Sequence, residues 1–177
     1  DIPAEDWDWL IGINLLGVVH GCRAFGRIMQ QQGSGHLVNT ASLAAFGALP
    51  GMSLYNTAKA GVVMLSETIR AEFAGFGVRV SAVCPSFLRT NLMERTRTTA
   101  PEIEKVTRLA LTKNQYSADY IANKCLDQIA KNKLYVLPTL DAKIMWRVKR
   151  FFPRMVVGIG ARTYPFAMKQ LKARFAK

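Results

Sequence analysis

Residues 42–59 read SLAAFGALPGMSLYNTAK and contain a hydroxyl, a phenol and an ammonium at informative spacings. Tyr55 and Lys59 are four residues apart, so on a helix both side chains lie on one face, one turn from each other. Ser42 stands upstream, at the end of an apolar run that is typical of a strand. A neighbouring ammonium favours phenolate over phenol, and we therefore expect Lys59 to lower the pKa of Tyr55 from about 10 toward neutrality. The three groups together predict general acid–base chemistry at an alcohol or carbonyl oxygen that Ser42 holds.

A Tyr and a Lys at this spacing alone indicate an ordinary surface pair. The hypothesis therefore depends on whether the rest of the chain agrees with it. Apolar positions at helical spacing predict long helices over residues 2–32, 53–75 and 117–132. Short runs with β-branched residues predict buried parallel strands over residues 36–42, 78–84 and 134–138. This alternation of strands and helices favours an α/β fold with a parallel sheet.

Four motifs, in this order, resemble the short-chain dehydrogenase/reductase family over residues 1–140. They are Asn14 ahead of a hydrophobic pair and Gly, Ser42 at the end of a strand, Tyr55 with Lys59 at the start of a long helix, and a Pro85–Thr90 loop. The resemblance implies a partial Rossmann-like, doubly wound parallel sheet that corresponds to the C-terminal half of the family's fold. It also implies an NAD(P)-dependent oxidoreductase that moves a hydride between nicotinamide and an alcohol or ketone carbon.

The same resemblance implies a role for each catalytic residue. Tyr55 is expected to be the general acid/base, and Lys59 is expected to lower its pKa and to bind the nicotinamide ribose hydroxyls. Ser42 would position the substrate oxygen. Asn14 would hold a water molecule that connects Lys59 to solvent.

The loop that follows residues 78–84 resembles the family segment that holds the nicotinamide end of the cofactor. By this resemblance Pro85, Phe87 and Thr90 flank the nicotinamide. Ser86 stands where the family has Gly, and we expect it to take a backbone shape that Gly takes more cheaply. The alternative for the Pro and Thr alone is a plain strand-to-loop turn.

The cofactor phosphate site of the family has no counterpart in this sequence. A dinucleotide pyrophosphate sits on a Gly-rich turn at a helix N-terminus, and the chain contains no Gly-x-x-x-Gly-x-Gly segment. We therefore expect the C-terminal portion of a longer enzyme, with the choice between NAD and NADP made elsewhere. Alone, the chain is expected to be inactive and to aggregate, because strand 36–42 would lack a neighbour.

Substrate and partners are indicated only in outline. Apolar residues near the predicted site favour a hydrophobic alcohol or ketone, although core packing explains such residues equally well: Phe46, Leu49, Met52, Phe87 and Leu92. By resemblance to the family, we expect a homo-oligomer that pairs through the two long helices.

Residues 141–177 form a segment of different character, with ten Lys or Arg residues against one acidic residue, Asp141. They carry most of the net charge of +12. Apolar and basic residues recur there at helical spacing, and Pro153 and Pro165 are expected to interrupt the helix. We interpret the segment as a basic amphipathic C-terminal extension of a catalytic part at residues 1–140. It predicts either binding to an anionic membrane surface or a solvated basic face over a docked helix; no nucleic-acid motif is recognisable.

The positions of the cysteines and histidines indicate whether disulfides or a metal site are expected. Cys22, Cys84 and Cys125 lie far apart without metal-ligand spacing, and His20 and His36 are the only histidines, so we expect neither disulfides nor a metal site. The apolar runs are too short to span a bilayer, and we recognise no signal peptide. We therefore expect a cytoplasmic enzyme, with peripheral attachment to a membrane through the tail as the alternative.

Overall fold

The computed structural model describes residues 2–87, 104–105, 107–108, 111 and 116–175. Its elements, in chain order, are α1 (Ala4–Ile11), a π-helical turn (Gly12–Leu16), α2 (Gly17–Gln32), β1 (Gly35–Thr40), α3 (Ala44–Gly47), α4 (Ser53–Phe73), a 3₁₀ turn (Ala74–Phe76), β2 (Val78–Val83), α5 (Ala118–Ala130), β3 (Tyr135–Val136), α6 (Leu140–Phe151) and α7 (Pro153–Phe175). The helices and strands predicted from the hydrophobic pattern agree with these bounds to within a few residues.

The three strands form one parallel sheet in the spatial order β1–β2–β3. All six residues of β1 pair in register with those of β2, and the last two residues of β2 pair with β3. Alternate side chains of β2 face opposite sides, so Ala82 packs with α4 while Val83 packs with α5. Helices on both faces of a parallel sheet confirm the predicted α/β class. The C-terminal ends of the strands meet at one edge, where ligands bind in folds of this kind.

One face of the sheet is covered by α2 and α4, which share two apolar clusters with it. Their buried members are Cys22, Leu37, Ile69 and Val80 in one cluster, and Ala41, Val62, Val63, Ala82, Cys84, Leu137 and Ala142 in the other. Burial of an aliphatic side chain of this size contributes roughly 1.5–3 kcal/mol. The clusters therefore hold α4, and with it Tyr55 and Lys59, firmly on the sheet.

A short chain of buried hydrogen bonds joins α2, β1 and α4. The Cys22 thiol donates to Asn39 Oδ1 at 3.3 Å, and Asn39 Nδ2 donates to Ser66 Oγ at 3.0 Å. The Ser66 hydroxyl in turn donates to the Val62 carbonyl at 2.7 Å. Because buried polar groups are costly without partners, this chain fixes how the two helices sit against β1.

The first helical stretch is continuous from Ala4 to Gln32, since the π-helical turn joins α1 to α2. Gly33 ends it in the left-handed conformation with φ 71°, and the Ser34 amide donates to the Met29 carbonyl at 3.2 Å. Within the described residues, this stretch of 29 residues is the one helix long and apolar enough to cross a membrane, with mean hydropathy 1.2 and 11% of the window buried. The sequence prediction considered only uninterrupted apolar runs and was wrong on this point, because length and composition are met across the π turn.

The C-terminal extension forms two helices that begin on the core of the fold. Ala142 of α6 is fully buried, and Trp146 packs against the same cluster. α7 begins at Pro153. The first N–H of a helix has no intrahelical acceptor, so the helix loses no hydrogen bond when proline lacks it. The predicted interruption at Pro165 was wrong, because this residue lies inside α7. Because Pro165 has no N–H, the Ala161 carbonyl one turn earlier loses its helical hydrogen bond. Ala161 is exposed, so water can bind this carbonyl.

Candidate active site

The segments that follow the three strands are joined to one another at the C-terminal edge of the sheet. After β1, the Leu43 amide donates to the Pro85 carbonyl at 2.9 Å. After β2, the Cys84 amide donates to the Val136 carbonyl at 2.9 Å, and the Ser86 hydroxyl donates to Asp141 Oδ2. The described segments that carry Ser42, Pro85 and Ser86 are therefore fixed to their neighbours at this edge.

Ser42 lies two residues beyond the end of β1 and just before α3. Its Oγ accepts a hydrogen bond from the Ala44 amide at 3.1 Å, which orients the hydroxyl at the start of the helix. The Ser42 hydroxyl is also close enough to the Tyr55 phenol to favour the charged form of the phenol. The structure thus brings together the hydroxyl and the phenol that the sequence had paired.

Lys59 lies one turn after Tyr55 in α4 and is almost fully buried, with 7% of its surface exposed. Its ammonium donates to the Thr40 carbonyl at 3.1 Å and lies 5.8 Å from the centre of the Tyr55 ring. A buried ammonium that has a fixed acceptor is a strong local source of positive charge. Ser42, Tyr55 and Lys59 therefore converge at the end of β1.

The pKa of Tyr55 does not follow the expectation from sequence. Burial raises it, and the nearby Ser42 hydroxyl only partly opposes that rise. Burial also lowers the pKa of Lys59, since desolvation disfavours its charged form more than the neighbouring Cys84 thiol favours it. The expected net lowering of the Tyr55 pKa was wrong for this structure, because removal of the phenol from water outweighs the groups that favour phenolate.

Asn14 lies within the π-helical turn of the first helix. Such turns are rare, and they occur frequently at functional sites. The next residue, Leu15, packs on Gly61 of α4 so closely that a Cβ on Gly61 would be 3.0 Å from the Leu15 methyl carbons. No hydrogen bond among the described residues joins Asn14 to Lys59, so the water-mediated role of Asn14 stays a prediction.

The loop after β2 is described as far as Phe87, and Thr90 and Leu92 lie outside the described residues. Pro85 and the buried Ser86 lie beside the Ser42 segment through the Leu43 hydrogen bond. The concern that Ser86 takes a conformation suited to Gly was wrong. Within the described chain, Ala48 and Asn132 are the non-glycine residues with positive φ, so Ser86 has an ordinary backbone.

Comparison with known proteins places this geometry in a family. Residues 1–101 match the family model described as short chain dehydrogenase. The chain belongs to the short-chain dehydrogenase family.

Two curated short-chain dehydrogenase relatives show how far the similarity extends. "Probable oxidoreductase EphD" of Mycobacterium tuberculosis is 33% identical over 87% of this chain and 28% of its own length. "2-(R)-hydroxypropyl-CoM dehydrogenase" of Xanthobacter autotrophicus is 40% identical over 57% of this chain and 40% of its own length. The chain therefore spans less than half the length of each of these relatives.

A solved short-chain dehydrogenase from Burkholderia phymatum, in complex with NAD, has the same fold. It is 30% identical, has a TM-score of 0.78, and is matched over 87% of this chain and 60% of its own. The similarity in structure therefore covers nearly all of this chain and about three fifths of the solved enzyme.

A short-chain dehydrogenase site holds a nicotinamide dinucleotide, and the donors of this chain fit that group. An ammonium has three N–H donors, and among the described residues Lys59 uses one of them, on Thr40. The remaining donors suit a ligand that presents hydroxyl oxygens, such as a ribose. Tyr55 and Ser42 present further hydroxyls beside the same ammonium.

The apolar residues proposed for substrate binding divide into two groups. Phe46 packs edge-on against Tyr135 with ring centres 6.1 Å apart, so it belongs to the core wall. Leu49 is 36% exposed, and its carbonyl accepts a hydrogen bond from Asn56 Nδ2 at 2.9 Å. Leu49 and the half-buried Met52 thus have exposed surface that can contact a ligand.

Sequence reasoning missed two residues that shape this edge. Asn56, next to Tyr55, ties the loop between α3 and α4 to α4 through Leu49. Asp141, in the first turn of α6, reaches back to Ser86. The rule that polar residues directly after parallel strands meet at one edge would have indicated Asp141, which follows shortly after the strand predicted over residues 134–138.

Proposed function

We propose that the protein carrying this chain is an NAD(P)-dependent oxidoreductase that moves a hydride between nicotinamide and an alcohol or ketone carbon. The observation that carries the proposal is the convergence of Ser42, Tyr55 and Lys59 at the C-terminal edge of the sheet. Membership of the short-chain dehydrogenase family supports it. The residues contributed by this chain form the acid–base half of such a site.

Each residue has a distinct task in this proposal. A bound nicotinamide dinucleotide supplies or accepts the hydride. The Ser42 hydroxyl holds the substrate oxygen, and the Tyr55 phenol gives a proton to that oxygen or takes one from it. With its pKa raised by burial, Tyr55 is protonated at neutral pH, which suits donation to a carbonyl oxygen. Lys59 binds ribose hydroxyls and holds positive charge near the phenol.

The proposed substrate class rests on the names of curated relatives and on the apolar side chains beside the site. The relatives include enzymes named for secondary alcohols, 2-(R)-hydroxypropyl-CoM dehydrogenase and D-beta-hydroxybutyrate dehydrogenase. Leu49 and Met52 beside the site favour a substrate with an apolar part. Either NAD or NADP is the cofactor, and the Burkholderia phymatum enzyme, which binds NAD, supports the former.

Replacement of the proposed oxygen-holding hydroxyl tests this function. In the enzyme that carries this chain, Ser42→Ala should lower kcat by about 10²–10³-fold, the usual effect of losing one donor to a developing oxyanion. Ser53→Ala, at the exposed start of α4, is the matched control and should keep wild-type turnover. Turnover is followed by the absorbance of reduced nicotinamide with a series of secondary alcohols and ketones. Equal rates for the Ser42→Ala variant and the control would contradict the proposal.

We also propose that α6 and α7 bind an anionic lipid surface. Each helix has an exposed face on which apolar and basic residues recur at spacings of three and four: Leu140, Ile144, Arg147 and Phe151 in α6, and Met155, Ile159, Arg162, Phe166 and Lys169 in α7. The apolar members are 47–69% exposed. A helix face of this composition buries its apolar residues at the headgroup boundary while its cations pair with anionic lipid. Sedimentation with vesicles tests this second proposal.

A further inference from the structure

A side-chain hydrogen bond at the site edge joins the loop after β2 to the start of α6. Ser86, 9% exposed, donates its hydroxyl hydrogen to Asp141 Oδ2, and the two residues are 55 positions apart in the chain. Asp141 follows β3, and Ser86 follows β2, so the contact spans two neighbouring strand ends. It therefore links the proposed nicotinamide loop to the C-terminal extension.

The surroundings of Asp141 favour the charged form of its carboxylate. Burial favours its neutral form, but the hydrogen bond from Ser86, the nearby Thr139 hydroxyl and the backbone amides outweigh that effect and hold the pKa of Asp141 below its usual value. A hydroxyl that donates to a carboxylate makes a stronger bond than one between neutral groups. Removal of the carboxylate would leave a buried hydroxyl without this acceptor.

α6 itself is anchored independently of this bond, so it can serve as a fixed support. Ala142 is fully buried in the core, and the Trp146 ring lies 5.2 Å from the Tyr135 ring. Tyr135 packs against Phe46 and donates to Glu67 Oε1 at 2.7 Å. Asp141 is thus held by a helix that is seated on the body of the fold.

We infer that Asp141 is a positioning residue that fixes the loop at Pro85–Phe87 for dinucleotide binding, acting through the Ser86 hydroxyl. The loop is held from one side by Leu43, which binds the Pro85 carbonyl, and from the other by Asp141. A loop fixed before binding loses less conformational freedom when the ligand arrives. The backbone of Ser86 does not need glycine. Its side chain can therefore serve to bind Asp141. The inference rests on the proposed dinucleotide chemistry of this loop.

Dinucleotide affinity in the enzyme that carries this chain is the direct test. Asp141→Ala and Ser86→Ala should each raise the Kd for NAD(H) or NADP(H), measured by calorimetry, about tenfold. Asp141→Asn keeps an acceptor oxygen and should fall between the wild type and Asp141→Ala. The double variant should be no weaker than the weaker single variant, because both remove one interaction. The matched control, Asp127→Ala on the exposed face of α5, should leave Kd unchanged.

The pH dependence of turnover separates positioning from catalysis. At saturating dinucleotide, the Asp141 and Ser86 variants should keep the wild-type pH profile, whereas a change confined to general acid–base chemistry would alter that profile and leave Kd alone. If Asp141→Ala does not fold, Ser86→Ala, which removes a single oxygen atom, carries the test. A Kd within twofold of wild type for Ser86→Ala, or additive losses in the double variant, would overturn the inference.

The outcome also separates this inference from the proposed function. If the proposed function fails, either the wild-type enzyme turns over no alcohol or ketone, or Tyr55→Phe retains the wild-type rate, whatever Asp141 does. If only this inference fails, Tyr55→Phe abolishes turnover while the Ser86 and Asp141 variants bind dinucleotide normally.

Discussion

At the scale of the residue, the environment of Tyr55 sets the chemistry. Burial raises the pKa of the phenol, and the nearby Ser42 hydroxyl partly opposes that rise. The buried Lys59 ammonium lies 5.8 Å from the centre of the ring. An opposite charge at this distance favours ionisation even where burial opposes it. We therefore expect Lys59 to oppose part of the rise in the pKa of Tyr55.

Replacement of Lys59 should be visible in the pH dependence of turnover. Lys59→Met removes the charge that favours phenolate, so the alkaline limb of the pH–rate profile should move to higher pH. It should also weaken dinucleotide binding, because the ribose donors are lost. Lys131→Met, on an exposed residue after α5, serves as the control. A Lys59→Met enzyme with normal turnover and an unchanged profile would refute the role given to this residue.

At the scale of the element, the fit between α2 and α4 sets the position of the catalytic helix. Gly26 is buried in α2, and a Cβ there would lie 2.8 Å from the Phe73 ring of α4. Gly21, in the same helix, has open space around the corresponding position. The two glycines therefore differ in packing while they share a helical backbone.

Substitution of these two glycines should give opposite changes in stability. Gly26→Ala forces the Phe73 ring to move and should lower the free energy of unfolding by about 1–3 kcal/mol. Gly21→Ala gains helix propensity without a clash and should be neutral or stabilising by up to about 1 kcal/mol. Urea unfolding of the two variants measures the difference. Equal effects at both positions would mean that the two helices are not in close contact at Gly26.

Much of the fold and part of the site could be predicted from the pattern of residues. Helical spacing alone places Tyr55 and Lys59 on one face, and β-branched runs locate the strands. The raised pKa of Tyr55 could not be predicted, because its burial depends on segments distant in sequence. The same holds for the bond between Ser86 and Asp141, which joins residues from different strand connections. Pro165 misled the prediction because an exposed helix tolerates the loss of one hydrogen bond.

At the scale of the whole molecule, the chain corresponds to part of a longer enzyme in its relatives. It matches 60% of the Burkholderia phymatum short-chain dehydrogenase. β1 lies at one edge of the sheet that the described residues form, and the first helix exposes Ile13, Phe25 and Ile28. These surfaces are consistent with the expected pairing and with the expected aggregation of the chain alone, and both stay predictions. The division into a part at residues 1–140 and an extension at residues 141–177 also stays a prediction.

The extension should bind vesicles that contain phosphatidylserine and not vesicles of phosphatidylcholine alone. Each basic residue near an anionic surface contributes about 1 kcal/mol, so Arg162→Gln with Lys169→Gln should weaken binding about 30-fold. The control pair, Arg23→Gln with Arg27→Gln on α2, removes the same charge elsewhere. Sedimentation at low and high salt measures the effect. Equal binding to both kinds of vesicle, or none at low salt, would exclude the membrane proposal.

The central claim, that Tyr55 exchanges the proton with the substrate oxygen, is tested most directly by Tyr55→Phe. This substitution keeps the ring and removes only the hydroxyl. In the enzyme that carries this chain, kcat should fall by about 10²–10⁴-fold, while the Kd for the dinucleotide, measured by calorimetry, stays near that of the wild type. A Tyr55→Phe enzyme that keeps more than about a tenth of the wild-type rate would contradict the account.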